Sequence, residues 1–343
     1  MKVLGIETSA DDTGIALIQA DGELGSDFRF SVLANEVASQ RHAEYGGIYP
    51  NLAKNEHIKN LPLLLGKVRN ISSDKPDVIA VTAGPGIEPC LWQGITFAHE
   101  LAVQWHVPVV GANHMEGHIL MGMMSGDRLA TFEFPALALL ISGGHTELIL
   151  MRKFGAYEYL GRTRDDAVGE AFDKVARMLG LPYPGGPHIS RLAAEAREMN
   201  FPSDIKLPRP MLNENSYDFS FSGLKTAVLR LTENRQLTDD DKRALAREFE
   251  DAAADVLVGK TLRAVEERGA NAVVVGGGVS ANKYIRAALR ERLEAVGCKL
   301  LVCPPQFSTD NGLMIALAGY FHARTYEFAE LEKLAANGAM KLC

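Results

Sequence analysis

Cysteine is scarce and unpatterned. Cys90, Cys298, Cys303 and Cys343 are the only ones in 343 residues, and none forms a C-x-x-C pair. A disulfide-stapled secreted scaffold is therefore excluded, and a reducing, cytoplasmic compartment is expected. Long apolar runs are missing too: none approaches the ~20 residues that a membrane span needs. Met1–Glu7 lacks the apolar region of a signal peptide and reads as a strand, so no membrane partner is expected. Basic charge is also in deficit. Lys and Arg number 36 against 43 Asp and Glu, a net charge of −7, which excludes nucleic-acid binding by the whole surface. Any RNA contact must come from a local patch or a partner. What is present is ordinary for a soluble α/β protein, 47% hydrophobic and 23% charged, with length enough for two domains.

The clearest pattern is a repeat. Lys2–Glu7 and Gly14–Gln19 are apolar strands joined by the small polar turn Thr8–Thr13, and Phe30–Glu36 offers a third strand. About 130 residues later Ala136–Ile141 and Thr146–Met151 flank Ser142-Gly143-Gly144-His145, and Tyr157–Gly161 follows. This predicts a duplicated α/β fold with lobes at 1–130 and 131–343, the last helix being free to pack back on the first lobe. Between these come the strand Asp77–Ala83, the helix Leu91–Trp105 and the short strand Val107–Val110, which Gly111 and Ala112 leave. Further on lie helices at Gly169–Gly180 and near Ile189–Glu198 after the turn Pro184–Pro187, then irregular chain over Pro202–Gly223. A long helix with an early break spans Leu237–Arg268. The strand Asn271–Val275 runs into Gly276-Gly277-Gly278 and a helix to Val296; the strand Lys299–Cys303 and a helix over Asp310–Glu327 close the chain.

Asn113-His114-Met115-Glu116-Gly117-His118 is the stretch most suggestive of chemistry. Asn113 is a helix N-cap, and His114 and His118 fall four apart on one helical face, the spacing at which two imidazoles share a metal. The plainer alternative is one surface and one packing histidine. Glu116 sits about 200° around the helix from His114, not directly after it as in H-E-x-x-H, so a metalloprotease is disfavoured and a capping role at N3 explains the residue. Asp310 by spacing alone is an N-cap, though it is also the hard oxygen ligand that would complete an open site.

The turns Thr8–Thr13, Ser142–Gly144 and Gly276–Gly278 free backbone N–H groups of the kind that cradle phosphate. Two on equivalent hairpins and one at a strand–helix junction fit a nucleotide between duplicated domains, as in actin, sugar kinases and heat-shock chaperone ATPases. Asp11 and Asp12 are either turn formers or residues that place a metal or water there. Arg209, Lys225, Arg230, Arg235, Lys242, Arg243 and Arg247, with Lys283, Arg286, Arg290 and Arg292, are a phosphate-contacting strip or a solvated face.

Taken in order, Ile6-Glu7-Thr8-Ser9, His114–His118, Ser142–Thr146, Gly169–Lys174, Tyr183–Pro187, Asp218–Thr226, Gly277–Asn282 and Thr309–Gly312 closely resemble the tRNA threonylcarbamoyladenosine transferase family, TsaD and the Kae proteins. The resemblance implies an actin-like two-domain fold with an interdomain nucleotide cleft. It implies transfer of threonylcarbamoyl from threonylcarbamoyl-adenylate to N6 of the adenosine next to the tRNA anticodon, releasing AMP. By the same carry-over His114, His118 and Asp310 bind one divalent metal, Fe(II) ahead of Zn(II). Leu140, Ile141, Ser142, Gly143, Gly144, Asp173, Gly186 and Asn282 hold the adenylate or AMP, or ATP with Mg. The implied partners are tRNA, a TsaB-like paralogue and a TsaE-like ATPase, with a TsaC-like enzyme supplying the substrate. Asp11 or Asp12 is the candidate to orient or deprotonate the attacking amine.

Some positions depart from the family pattern. Ala10-Asp11-Asp12 replaces Cys-Asp-Glu, Asn51 stands where Glu is usual, Ile87–Leu91 lacks the Gly-rich form, and the tail lacks an Arg/Pro-rich ending. Competing readings on the same fold are a small-molecule kinase or ATPase and a nucleotide-binding scaffold without chemistry.

Overall fold

Strand β1 (Lys2–Glu7) pairs antiparallel with β2 (Asp12–Asp21), Lys2 opposite Gln19 and Glu7 opposite Gly14. The computed structural model describes residues 1–40, 48–126, 128–201, 204–233 and 235–342. Cys343, and Pro202 and Ser203 of the stretch expected to be irregular, lie outside the described residues. By contacts the chain divides into one unit of Met1–Thr131 with Thr309–Leu342 and a second of Phe132–Ser308.

In the first unit β3 (Arg29–Ser39) extends the sheet beyond β2, while β4 (Val78–Gly84) and β5 (Val109–Asn113) add in parallel on the other side, giving the order β3-β2-β1-β4-β5. Strands covered on both faces should be apolar throughout, and all seven residues of β4 are buried. Helices α1 (Pro50–Ile71) and α2 (Glu88–Trp105) cover one face, where Leu61, Leu64, Val68, Ile95 and Ala98 meet Leu4, Ile6, Ile15 and Leu17. Helix α3 (His114–Gly122) starts directly at the end of β5, and the short strands β6 (Met124–Ser125) and β7 (Arg128–Leu129) follow.

The second unit repeats this order. Strands β8 (Ala136–Ile141), β9 (Thr146–Lys153) and β10 (Ala156–Arg162) form the antiparallel part. After helices α4 (Val168–Met178), α5 (Gly185–Glu198), α6 (Ser222–Thr232) and α7 (Asp239–Arg268), strand β11 (Ala272–Gly276) adds parallel to β8. Helix α8 (Lys283–Glu294) leads to β12 (Lys299–Val302), and the order is β10-β9-β8-β11-β12. Its core joins Leu137, Leu139 and Ile141 to Phe172, Ile189 and Phe249.

Helix α9 (Gly312–Arg324) belongs to the first unit and packs on β1, β2, β4 and β5. Gly5 alternates with Leu4 and Ile6, so it faces away from α1 and α2. A Cβ at Gly5 would lie 2.2 Å from the Gly312 carbonyl oxygen, and one at Gly14 would lie 2.4 Å from the Gly312 nitrogen. That close backbone approach fixes where α9 begins, and hence where Asp310 sits.

Several element boundaries differ from the sequence expectation. Strand β5 runs through Gly111 and Ala112 to Asn113. Helix α5 begins at Gly185, so the expected turn Pro184–Pro187 is largely its first turn; a proline there gives up only an N–H that has no intrahelical partner. Helix α7 has no early break, because Thr238 and Asp241 form a reciprocal capping box at its start. Helices α1 and α6 were not anticipated. Among the described residues no helix is long and apolar enough to cross a membrane.

Candidate metal centre and nucleotide-binding turns

The centre of the first unit is built on two helix starts. Asn113 Oδ1 accepts from the amides of Met115 at 2.9 Å and Glu116 at 3.4 Å, so α3 is capped where the sequence suggested. His114 and His118 then stack edge to face one turn apart, ring centroids 4.6 Å from each other. Both are buried, at 6% and 3% exposure. The second helix start holds the correction. Asn311, not Asp310, caps α9, accepting from the Met314 amide at 3.1 Å. Asp310 is therefore released from capping, and its Oδ1 lies 3.2 Å from His118 Nε2 and 3.6 Å from His114 Nε2. One ligand atom from each of the three residues falls within 4.8 Å of the others. Two imidazole nitrogens and one carboxylate oxygen form a donor set that suits Fe(II) or Zn(II) and leaves coordination positions over.

Glu7 is the residue that sequence reasoning passed over. It is fully buried at the end of β1, and its Oε2 lies 3.1 Å from His114 Nδ1 and 2.6 Å from Thr82 Oγ1; its Oε1 accepts from the Ser9 amide. Burial opposes a charge on Glu7, but His114 outweighs it and holds the carboxyl below the usual range. Burial likewise opposes a charged His114, yet Asp310 and Glu7 together push that imidazole up to about 9. A proton on His114 and a cation among the three ligands thus compete for the same negative charge.

Asp12 opens β2 and interacts electrostatically with this cluster. Burial first, then the charges of Asp310, Asp11 and Glu7, push its carboxyl up to about 7 against a hydrogen bond from Ser39. Asp11 lies in the adjoining turn, its carbonyl accepting from the Gln40 amide at 3.1 Å. The buried His57 of α1 clamps that turn, with Nε2 2.9 Å from the Ala10 carbonyl and Nδ1 2.8 Å from Thr13 Oγ1. Glu116 has a cross-helix partner beyond any capping role: its Oε2 meets His322 Nε2 of α9 at 2.6 Å.

In the second unit the glycine turns converge. Ser142 Oγ accepts from the amides of Gly144 and His145 at 3.3 and 3.0 Å, closing the β8–β9 turn. A Cβ on Gly143, Gly144 or Gly278 would meet nothing within 4 Å, so their backbones face open space. Gly277, at φ +86°, is needed for contact: its Cβ would lie 2.5 Å from the Ile141 carbonyl oxygen. Leu140 and Ile141 have fully buried side chains, so only their backbones are available to a ligand. Asp173 Oδ1 accepts from the Gly185 amide at 2.6 Å, next to Gly186 at the start of α5. Asn282 caps α8 through Ile285 and donates to Ser190 Oγ of α5 at 2.9 Å and to Glu250 Oε1 at 2.8 Å.

Most of the basic residues are spent inside the molecule. Arg209 pairs with Glu248 and Asp255, Lys225 with Asp166, Arg235 with Asp241, Arg243 with Glu195 and Asp240, and Arg247 with Asp251. Arg286 donates to the carbonyls of Ser280 and Cys303.

Two five-stranded sheets of the same order, each with its hairpin turn and flanking helices, define the duplicated α/β fold of actin, sugar kinases and heat-shock chaperone ATPases. HypF of T. kodakarensis aligns over 97% of this chain and 50% of its own, with TM-score 0.58 at 16% identity. Full-length HypF in a phosphate- and nucleotide-bound form aligns over 94% and 46%, with TM-score 0.51 at 12% identity. The chain spans about half the length of these HypF proteins, and the likeness is one of fold. The family model for TsaD, tRNA N6-adenosine threonylcarbamoyltransferase, matches residues 31–317, and the chain belongs to that family of tRNA-modifying transferases.

Proposed function

We propose that this protein transfers a threonylcarbamoyl group from threonylcarbamoyl-adenylate to N6 of the adenosine beside the tRNA anticodon, yielding the modified nucleoside and AMP. The observation that carries this reading, given the family, is the meeting of His114, His118 and Asp310 beside Asp12. A divalent cation held by those three residues, Fe(II) first and Zn(II) second, would supply Lewis-acid polarisation and a grip on the threonyl hydroxyl and carboxylate.

The remaining work falls to the chain. The open backbone at Gly143 and Gly144 lets the phosphate of the adenylate approach closely, while Asp173, Gly186 and Asn282 sit around the start of α5 as contacts for its nucleoside. The N6 amine attacks the carbamoyl carbon, a C–N bond forms, and the C–O bond to the phosphate of AMP breaks. Asp12, or Asp11 beside it, takes the proton that the amine loses, the work of a carboxylate general base. The adenosine must leave its stack, which an anticodon loop allows more readily than a duplex. Because so many cations are internally paired, tRNA docking depends on a TsaB-like paralogue and a TsaE-like ATPase as well as on this chain, and a TsaC-like enzyme supplies the adenylate.

The test supplies purified protein, threonylcarbamoyl-adenylate, the partner proteins and unmodified tRNA, and detects the nucleoside by mass spectrometry. Product with the wild type and none with His118→Ala is expected. No product from wild type, where a known relative works, would overturn the reading.

A further inference from the structure

Glu7 is a carboxylate buried at the end of a core strand. Its strand neighbours Leu4 and Ile6 are core residues, and a carboxylate taken from water costs several kcal/mol unless its oxygens are fully occupied. Here three groups occupy them, one local and two from distant parts of the first unit: the Ser9 amide, the Thr82 hydroxyl and His114 Nδ1. An ionised carboxylate only accepts hydrogen bonds, so all three partners must donate, and Nδ1 of His114 must carry its hydrogen. In the neutral ring that a metal requires, the opposite nitrogen, Nε2, is then the one left bare. That atom and Nε2 of His118 flank the same oxygen of Asp310, at 3.6 and 3.2 Å.

We infer that Glu7 is a positioning residue of the metal centre: it sets the tautomer and the ring plane of His114 so that Nε2 is the ligating atom. The inference rests on reading His114, His118 and Asp310 as metal ligands. Histidine ligands generally need such a partner on the second nitrogen, and losing it typically lowers metal affinity by about 10- to 100-fold. Thr82 on β4 holds the same carboxylate oxygen as His114 and the Ser9 amide holds the other, so the ring on α3 is oriented by the sheet and not by its own helix alone. The Ser9 bond also joins the centre to the Thr8–Thr13 turn, which carries Asp11 and Asp12.

Three measurements on the full chain test this. Wild type, Glu7→Gln and Thr82→Val are titrated with Co(II) and followed by visible ligand-field absorption, and each is thermally unfolded in chelator. Separately, the histidine ¹⁵N spectrum of the Zn(II)-loaded wild type reports which nitrogen of His114 is protonated. Expected are saturable Co(II) binding by wild type, about 10- to 100-fold weaker binding with a shifted band for Glu7→Gln, a smaller change in the same direction for Thr82→Val, and Nδ1 protonated in the Zn(II) form. Wild-type affinity and spectrum in Glu7→Gln overturn the assignment, as does protonation at Nε2, or a wild type that takes up no Co(II). Should Glu7→Gln fail to fold, Thr82→Val and the ¹⁵N spectrum decide. A wild type that binds Co(II) in this Glu7-dependent way yet makes no modified nucleoside refutes the transferase reading and leaves the Glu7 assignment standing.

Discussion

Replacing Asp12 with asparagine should make the metal-free protein more stable and the enzyme slower. Burial, reinforced by Asp310, Asp11 and Glu7, moves this carboxyl from 3.8 up to about 7 in the folded chain. Below about pH 4 both folded and unfolded chains hold the proton, so the group contributes nothing to stability. Between about pH 4 and 7 the unfolded chain has lost its proton while the folded one keeps it, so rising pH favours unfolding; above 7 the penalty is complete. A displacement of about 3 pH units at ~1.4 kcal/mol per unit sets a ceiling of about 4 kcal/mol. Asp12 is only partly buried, and water reaching it reduces this to about 1–2 kcal/mol. Asparagine keeps the shape and can still accept from Ser39. The assay is urea unfolding in chelator at pH 5 and pH 8, read by tryptophan fluorescence. Trp92 and Trp105 both lie on α2, so the signal reports the first unit alone. The gain should appear at pH 8 and shrink at pH 5, while transfer activity falls. Parallel pH dependence of variant and wild type would refute the electrostatic argument, and full activity would end the proton-transfer role for this residue.

Glu147 of β9 makes a comparison without the metal cluster. Burial pushes it up to about 7 against Arg162, and its Oε2 is buried with no hydrogen-bond partner, so Glu147→Gln should gain about 1 kcal/mol at pH 8 and less at pH 5, measured by circular dichroism in urea. His322 shows the opposite sign. The hydrogen bond it donates to Glu116 leads in pushing it up to about 9, so its contribution is whole below about 6.5 and is lost as pH rises through 9. His322→Gln should therefore cost about 1–2 kcal/mol at pH 6 and little at pH 10, and an equal loss at both would count against the bridge. Gly14→Ala would set a Cβ 2.4 Å from the backbone of Gly312 and should lower stability by about 2 kcal/mol along with Co(II) affinity. Gly143→Ala meets open space, so it should leave thermal stability unchanged while weakening AMP binding in calorimetry.

How much of this was legible in the sequence depended on how local each cause is. The hairpin repeat was legible because alternation, turn chemistry and strand order recur within short windows. The start of α3 was legible because Asn113 caps its own helix. Helix α1 was hidden by Pro62, which reads as a breaker but sits exposed while Ala53, His57, Leu61, Leu64 and Val68 line the buried face. The start of α5 was hidden because its acceptor comes from Asp173 on another helix. Asp310 was ambiguous until Asn311 was seen to hold the cap. Glu7 gave one local signal, a charge closing an apolar strand, but its side-chain partners stand at positions 82 and 114, and no short window contains them.

The first unit is assembled from both parts of the chain, with the second unit lying between them in sequence. During synthesis the histidine pair emerges early, but Asp310 and the helix that seals Gly5 and Gly14 emerge only after the whole second unit. The cluster of His114, His118 and Asp310 is therefore complete only after the whole second unit has been made. A chain cut off between His118 and Asp310 displays two histidines and an uncovered sheet face, so it should hold a divalent cation more weakly than the full chain and be open to quality control.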